Sequence, residues 1–268
     1  MNAGAAAFKG LHDKSHPLVL PNAWDAASAR IIEGAGFDAI ATTSAGVAWS
    51  LGYRDGERAP IEEMVAVAGR IARVVRVPVS ADFEAGYSAN IDGLLKNVEA
   101  VVKAGAVGIN LEDWNPAAED YFSIDVACAR ITAVKGRFAD SLFVNARTDQ
   151  YLHPGEPKQQ YEHAVRRLQA YVDAGADGVF APGVLDDDTV AGVANSVPAP
   201  LNVLGNKPAY TVTHLQSLGV ARISLGARVT LWVMGKVKAL ARDLRDSGAF
   251  EFLGDRTLMT HADADALF

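Results

Sequence analysis

The sequence predicts an α/β protein made of one (β/α)8 TIM barrel, with eight parallel strands inside a ring of eight helices. Three observations predict it. Short β-rich apolar runs alternate eight times with stretches whose apolar residues recur at spacings of three and four. Four junctions share one form: Ala35-Gly36-Phe37-Asp38-Ala39-Ile40, Ala104-Gly105-Ala106-Val107-Gly108-Ile109, Ala174-Gly175-Ala176-Asp177-Gly178-Val179 and Leu218-Gly219-Val220-Ala221-Arg222-Ile223. Each sets a helix-ending Gly, suited to a left-handed cap, just ahead of an apolar strand. Finally, 268 residues with 50% hydrophobic content suit one closed barrel, which takes ~250 residues, and no stretch has the composition of a linker.

In chain order, residues 1–16 read as an N-terminal helix or cap, and 17–268 as the barrel with a C-terminal extension. Strands are expected at 17–22, 39–44, 77–83, 107–112, 142–148, 178–181, 201–204 and 222–225, because these runs are apolar at nearly every position, as in a sheet buried on both faces. Helices are expected at 26–34, 61–75, 91–103, 125–138, 158–173, 187–195, 211–217 and 229–245 from their spacing. A doubly wound open sheet is the competing architecture, but no GxGxxG follows the first strand.

A formal net charge of -7 argues against a nucleic-acid footprint. The single cysteine, Cys128, excludes a disulfide framework and a structural zinc site, and reads as a small buried helical thiol. No basic-then-apolar leader opens the chain and no apolar run approaches ~18 residues, so a soluble cytoplasmic protein is expected, without membrane or nucleic-acid partners. The six histidines show no HxH or HExxH spacing, and His153 is expected on a loop surface. Neither a phosphate loop nor a GxSxG elbow is present.

In such a barrel the site lies at the C-terminal strand ends. There the chain gathers acids and one arginine: Asp82-Phe83-Glu84-Ala85-Gly86-Tyr87, Glu112-Asp113, Asn145-Ala146-Arg147-Thr148-Asp149, and Arg54-Asp55-Gly56 in an earlier loop. Like charges converging there are costly without a cation. Oxygen donors without Cys or His point to Mg2+ or Mn2+. Arg147 suits a bidentate grip on a carboxylate or phosphonate. Asp25, Asp149 and Asp187 read instead as helix caps or surface loop residues.

At these strand ends the sequence resembles the isocitrate lyase and phosphoenolpyruvate mutase superfamily, in its small methylisocitrate lyase-like and phosphonomutase-like branch. The matching pieces are 21–30, Thr42-Thr43-Ser44-Ala45-Gly46, Leu51-Gly52-Tyr53-Arg54-Asp55, 81–87, Asn110-Leu111-Glu112-Asp113 and 145–149. The resemblance implies that Asp82 binds Mg2+ directly, with Asp55, Glu84 and Glu112 acting mostly through waters. It implies that Thr43, Ser44 and Ala45 offer backbone N–H groups to a substrate carboxylate opposite Arg147. The chemistry implied is breakage of a C–C bond through a pyruvate-like enolate chelated to Mg2+, with Tyr87, Glu112 or a water handling protons. A small 2-oxo or 2-hydroxy dicarboxylate is the expected substrate. It also implies that the eighth helix packs on, or is exchanged with, a neighbouring subunit, in a homodimer or homotetramer.

Two departures qualify this. Glu84 stands where the family usually has Asp, and Ser88 where it has Gly. The family's lyase lid carries Lys-Lys-Cys-Gly-His, whereas residues 114–122 are short and lack Cys, Lys and His. True isocitrate lyase activity is therefore not expected. P–C bond chemistry on phosphonopyruvate or carboxyphosphonate, and a non-catalytic 2-oxo acid binding protein, are the alternatives.

Overall fold

The computed structural model describes residues 3–183 and 185–268. The first barrel strand has two halves, β1 (Leu18–Leu20) and β2 (Asn22–Ala23), parted at Pro21, which has no N–H for the ladder. β2 pairs in parallel with β3 (Ile40–Thr42), and β1 with the last strand, β11 (Arg222–Ser224). The split strand thus closes the ring. Between its ends run β4 (Val79–Asp82), β5 (Gly108–Glu112), β8 (Phe143–Arg147), β9 (Gly178–Phe180) and β10 (Leu201–Leu204), all parallel. The fold is the expected (β/α)8 barrel.

The eight surrounding helices are α2 (Ala26–Gly34), α4 (Ile61–Val74), α5 (Ile91–Lys103), α6 (Ile124–Phe138), α7 (Pro157–Asp173), α8 (Asp187–Ser196), α9 (Val212–Ser217) and α10 (Arg228–Ser247). Side-chain caps explain where several begin: Asp25, Asn90, Ser123 and Asp186 each accept an N–H from the first turn. The repeated Gly explains where they end, since Gly36, Gly105, Gly175 and Gly219 all take positive φ, from 85° to 111°.

Several elements lie outside the eight-fold pattern. A short helix, α3 (Ser44–Ser50), occupies a stretch expected to be strand end and loop; Thr43 caps it by accepting from Gly46 N. A two-stranded hairpin, β6 (Trp114–Asn115) with β7 (Asp120–Tyr121), follows β5. A terminal helix, α11 (His261–Asp265), ends the extension. At the other end of the chain α1 (Ala3–Gly10) covers the barrel floor; Met1 and Asn2 of the expected cap lie outside the described residues. Phe8 from α1 and Phe143 meet edge to face at 5.4 Å, and His12 stacks on Phe143 at 4.1 Å.

Apolar side chains fill the layer between sheet and helices, including Ile71, Leu94, Val98, Ile109, Val134, Val144 and Leu168. The barrel axis differs. Barrels commonly fill it with bulky branched residues, whereas Ser80, Asn110, Asn145, Asn202, Arg222 and Ser224 are all buried here. Arg222, 1% exposed, reaches from β11 to Ser80 on β4 and Asn110 on β5.

Candidate active site

The site sits at the C-terminal mouth of the barrel. Asp82 ends β4. Its Oδ2 accepts from Ser44 N at 3.0 Å and Ser44 Oγ at 2.8 Å, and its Oδ1 accepts from Asn110 Nδ2 at 3.1 Å. The first turn of α3 leaves N–H groups without intrahelical partners. Ser44 directs its own to Asp82, and Ala45 belongs to the same turn. Thr43 is different, because its N–H already donates to Ala23 O and its hydroxyl caps α3. The expected amide donor role therefore has no free N–H at Thr43, and Ser44 donates its own to Asp82.

Beyond Asp82 the chain turns sharply. Glu84 and Tyr87 adopt positive φ of 46° and 55°, and so does Glu57 at 57° in the preceding strand-to-helix loop. Left-handed backbone in non-glycine residues stores strain and clusters at functional sites. Here reciprocal contacts hold it: Glu84 Oε2 accepts from Glu57 N at 2.8 Å, Glu57 Oε1 accepts from Tyr87 N at 2.6 Å, and Tyr87 OH donates to Glu84 Oε1. Burial pushes the Glu84 carboxyl up to about 8, aided by the charges of Asp55 and Asp82 against the Tyr87 hydrogen bond. Burial and Glu84 raise the Tyr87 phenol far above its ordinary value, so it remains a proton-bearing donor.

Glu112 and Arg147 pair in register at the ends of β5 and β8. Arg147 Nη1 lies 2.9 Å from Glu112 Oε2 and 3.7 Å from Asp82 Oδ1. Its Nε and Nη2 donate to the two oxygens of Asp149 at 2.5 and 2.8 Å. Asp149 is thus no cap or surface residue: it is buried and orients the guanidinium, a correction to the sequence reading. Asp149 is itself anchored, because its N–H donates to Asp113 Oδ1 at 3.0 Å. Asp113 Oδ2 accepts from Thr148 Oγ1, Tyr171 OH and Arg167 Nη1 at 2.7, 2.7 and 3.2 Å. Burial disfavours charge on Arg147, but Asp149, Glu112 and Asp82 outweigh it and hold the arginine protonated. Glu112 is raised well above the usual range by burial, in spite of Arg147, with Asp149, Glu84 and Asp82 adding to the rise.

Asp55 stands on the exposed rim after β3, its carboxyl raised by partial desolvation and by Asp82. Ionising Asp55, Asp82, Glu84 and Glu112 together would place more negative charge here than Arg147 neutralises. Among the described residues no three His, Cys, Asp or Glu side chains converge tightly enough to cage an ion by themselves. A hard ion taking one or two carboxylates and completing its shell with water fits this oxygen-only set. Mg2+ or Mn2+ therefore fits the residues present.

The hairpin β6–β7 covers one side of the mouth. Trp114 stacks on His153 at 3.6 Å, Tyr121 meets both rings edge-on, and Tyr121 OH donates to Asp149 O at 3.2 Å. His153 is accordingly in a loop as expected, but half-buried by this stack. Cys128 is half-buried in α6, its thiol directed at Ala170 O, outside this cluster.

Sequence reasoning missed Glu57, Asn110 and the positioning role of Asp149. Asp149 did carry a signal, since i and i+2 of an extended chain share a face. Glu57 carried none, because its place depends on a loop conformation.

A family model described as phosphoenolpyruvate phosphomutase matches residues 8–245. The chain is 40% identical over 220 residues to an uncharacterized protein of Mycobacterium tuberculosis (strain H37Rv), covering 82% of this chain and 81% of that one. It is 30% identical over 223 residues to 2-methylisocitrate lyase of Aeropyrum pernix, covering 79% and 70%. Among solved structures, a candidate phosphonomutase from Burkholderia cenocepacia J2315 superposes with a TM-score of 0.86 at 36% identity, covering 90% of this chain and all of that one.

Proposed function

The chain belongs to the phosphoenolpyruvate phosphomutase family, within the isocitrate lyase and phosphoenolpyruvate mutase superfamily, and from that premise we propose that it is a Mg2+-dependent carbon–carbon lyase. Its substrate is a small 2-oxo or 2-hydroxy dicarboxylate that breaks next to a pyruvate-like unit. The observation that carries this reading is the excess of buried carboxyl groups around Asp82, with Arg147 as the cation within contact distance.

Asp82 would hold the ion directly, with Asp55, Glu84 and Glu112 around its waters. When bound, Mg2+ supplies positive charge against the oxygens on which negative charge develops as the bond breaks. Arg147 is pre-oriented by Asp149, which takes Nε and Nη2 and leaves Nη1 facing the Glu112 and Asp82 side. A substrate carboxylate on that side meets a guanidinium that has little rotational freedom left to lose. Of the first-turn amides of α3, Ser44 donates to Asp82, so Ala45 is the one assigned to a substrate carboxylate. Glu112 is the group assigned to proton transfer, with its Oε2 facing Arg147. Tyr87 keeps Glu84 in place through its donated hydrogen bond.

Purified protein with Mg2+ is expected to release pyruvate or another 2-oxo acid from at least one of a panel of oxaloacetate, malate-type and citrate-type acids. Asp82→Ala is expected to abolish that release while the far-UV circular dichroism is retained. Release without added divalent ion, or from Asp82→Ala, refutes the metal assignment. The likeness to a candidate phosphonomutase supports a second reading, P–C bond chemistry. Phosphorus NMR of phosphonopyruvate with the protein separates the two, since only that chemistry moves the phosphorus resonance.

A further inference from the structure

The polar barrel axis bears on the site above it. Arg222 is fully buried, yet among the described residues no carboxylate pairs with it; Nη2 has long contacts to Asn110 Oδ1 at 3.3 Å and Ser80 Oγ at 3.4 Å. Asn110 Oδ1 accepts a second, shorter bond from Asn145 Nδ2 at 2.8 Å. With two donors converging on its oxygen, the Asn110 amide has one orientation: Oδ1 down into the barrel and Nδ2 up, donating to Asp82 Oδ1 at 3.1 Å. Reversing it would break three bonds and set two buried donors against the amide nitrogen, leaving polar groups unsatisfied where each costs about 1–3 kcal/mol. The pairing register places Asp82, Asn110 and Asn145 level on three adjacent strands, so sheet geometry enforces the file.

The geometry points to Asn110 as a positioning residue for Asp82: Arg222 and Asn145 fix the amide from below, and the amide fixes which lone pair of Asp82 Oδ1 remains open to a divalent ion. Ser44 fixes Oδ2 in the same way from the other side. The carboxylate is thereby held in one rotamer before any ion arrives, and Arg222 reaches toward the Asp82 charge through the amide. Several axis atoms keep hydrogen-bonding capacity without protein partners among the described residues, including Arg222 Nε and Nη1, Asn145 Oδ1 and Asn202 Oδ1. These are complementary donors and acceptors, and internal waters would join them.

This inference rests on the metal reading of Asp82, and one experiment separates the two. Mn2+ alone is titrated into wild type, Asn110→Leu and Asn145→Ser, with free Mn2+ read by electron paramagnetic resonance and folding by circular dichroism. Both substitutions are neutral for neutral, so a change in affinity reports positioning rather than net charge. Asn110→Leu is expected to weaken Mn2+ about 10–100-fold, the range for losing an outer partner of a metal ligand. Asn145→Ser, which leaves Asn110 in place and withdraws one of the bonds that orient it, is expected to weaken Mn2+ less, in the same direction. A residue that served folding alone would lower the melting temperature of the metal-free protein and leave the increment added by Mn2+ unchanged; here that increment is expected to shrink. Wild-type affinity and increment in folded Asn110→Leu overturn the inference, and if that variant does not fold, wild-type affinity in Asn145→Ser overturns it. Failure of the wild type to bind Mn2+ refutes the metal reading itself, and this inference with it.

Discussion

Arg147 is effective because its neighbours leave it few conformations. Asp149 takes two of its nitrogens, Asp113 holds the Asp149 backbone, and Tyr171, Thr148 and Arg167 hold Asp113. Asp149→Asn places an amide where two acceptors are needed. Affinity for oxalate with Mg2+, measured by calorimetry, is expected to fall about 10–100-fold, as charged hydrogen bonds contribute ~1.5–3 kcal/mol; an unchanged affinity would show that Arg147 orients itself. His12 behaves differently. Its Nδ1 donates to Phe8 O, its Nε2 is buried without a partner among the described residues, and burial with the Arg222 charge lowers it from the ordinary 6.5 to about 3. The unfolded chain therefore binds a proton that the folded chain refuses, and stability is full above pH 6.5 and falls as pH drops toward 3. At ~1.4 kcal/mol per pH unit, moving from pH 6.5 to pH 5 should destabilise wild type by about 2 kcal/mol more than His12→Phe, as read by urea unfolding.

At the scale of elements, the β4–α5 turn is the most constrained part of the mouth. Gly86 takes φ of 85°, and a Cβ there would run into Leu94. Gly86→Ala thus meets both a backbone penalty of about 1–2 kcal/mol and a steric one. It is expected to lower the melting temperature by several degrees and to loosen Mn2+ binding through Glu84. A wild-type melting temperature would mean that the turn relaxes freely. The hairpin β6–β7 shows how a short segment is kept over a site without a core of its own: it borrows an aromatic stack from the β8–α7 loop through Trp114, Tyr121 and His153.

Over the whole molecule, the conspicuous feature is what α10 leaves uncovered. Thr230 is its one buried residue, while Trp232 is 65% and Val237 59% exposed, and Leu231, Met234 and, farther on, Phe250, Leu253 and Leu258 are exposed as well. Contiguous apolar surface of this kind marks an interaction face. We propose that it packs against a second copy of the chain, as the sequence resemblance implied. Light scattering is expected to give a dimer or tetramer for wild type and a smaller species for Trp232→Asp/Val237→Asp; a monomeric wild type contradicts the proposal. No helix among the described residues is long and apolar enough to cross a membrane.

The eight-fold alternation and the four Gly junctions determined the barrel by themselves, because periodicity and left-handed caps are local properties that a chain carries in its own order. The same holds for the acids at the strand ends, since the end of an apolar run is readable and the barrel fixes which way it faces. Tertiary structure alone decided the rest. Glu57 meets Glu84 and Tyr87 across two loops, Asp113 reaches Tyr171 and Arg167 on α7, and Arg222 crosses the axis to Asn110. Each of these joins groups from separate elements through the rotation of one strand or loop against another. No spacing along the chain encodes that rotation; closure of the ring and exclusion of water from its axis set it.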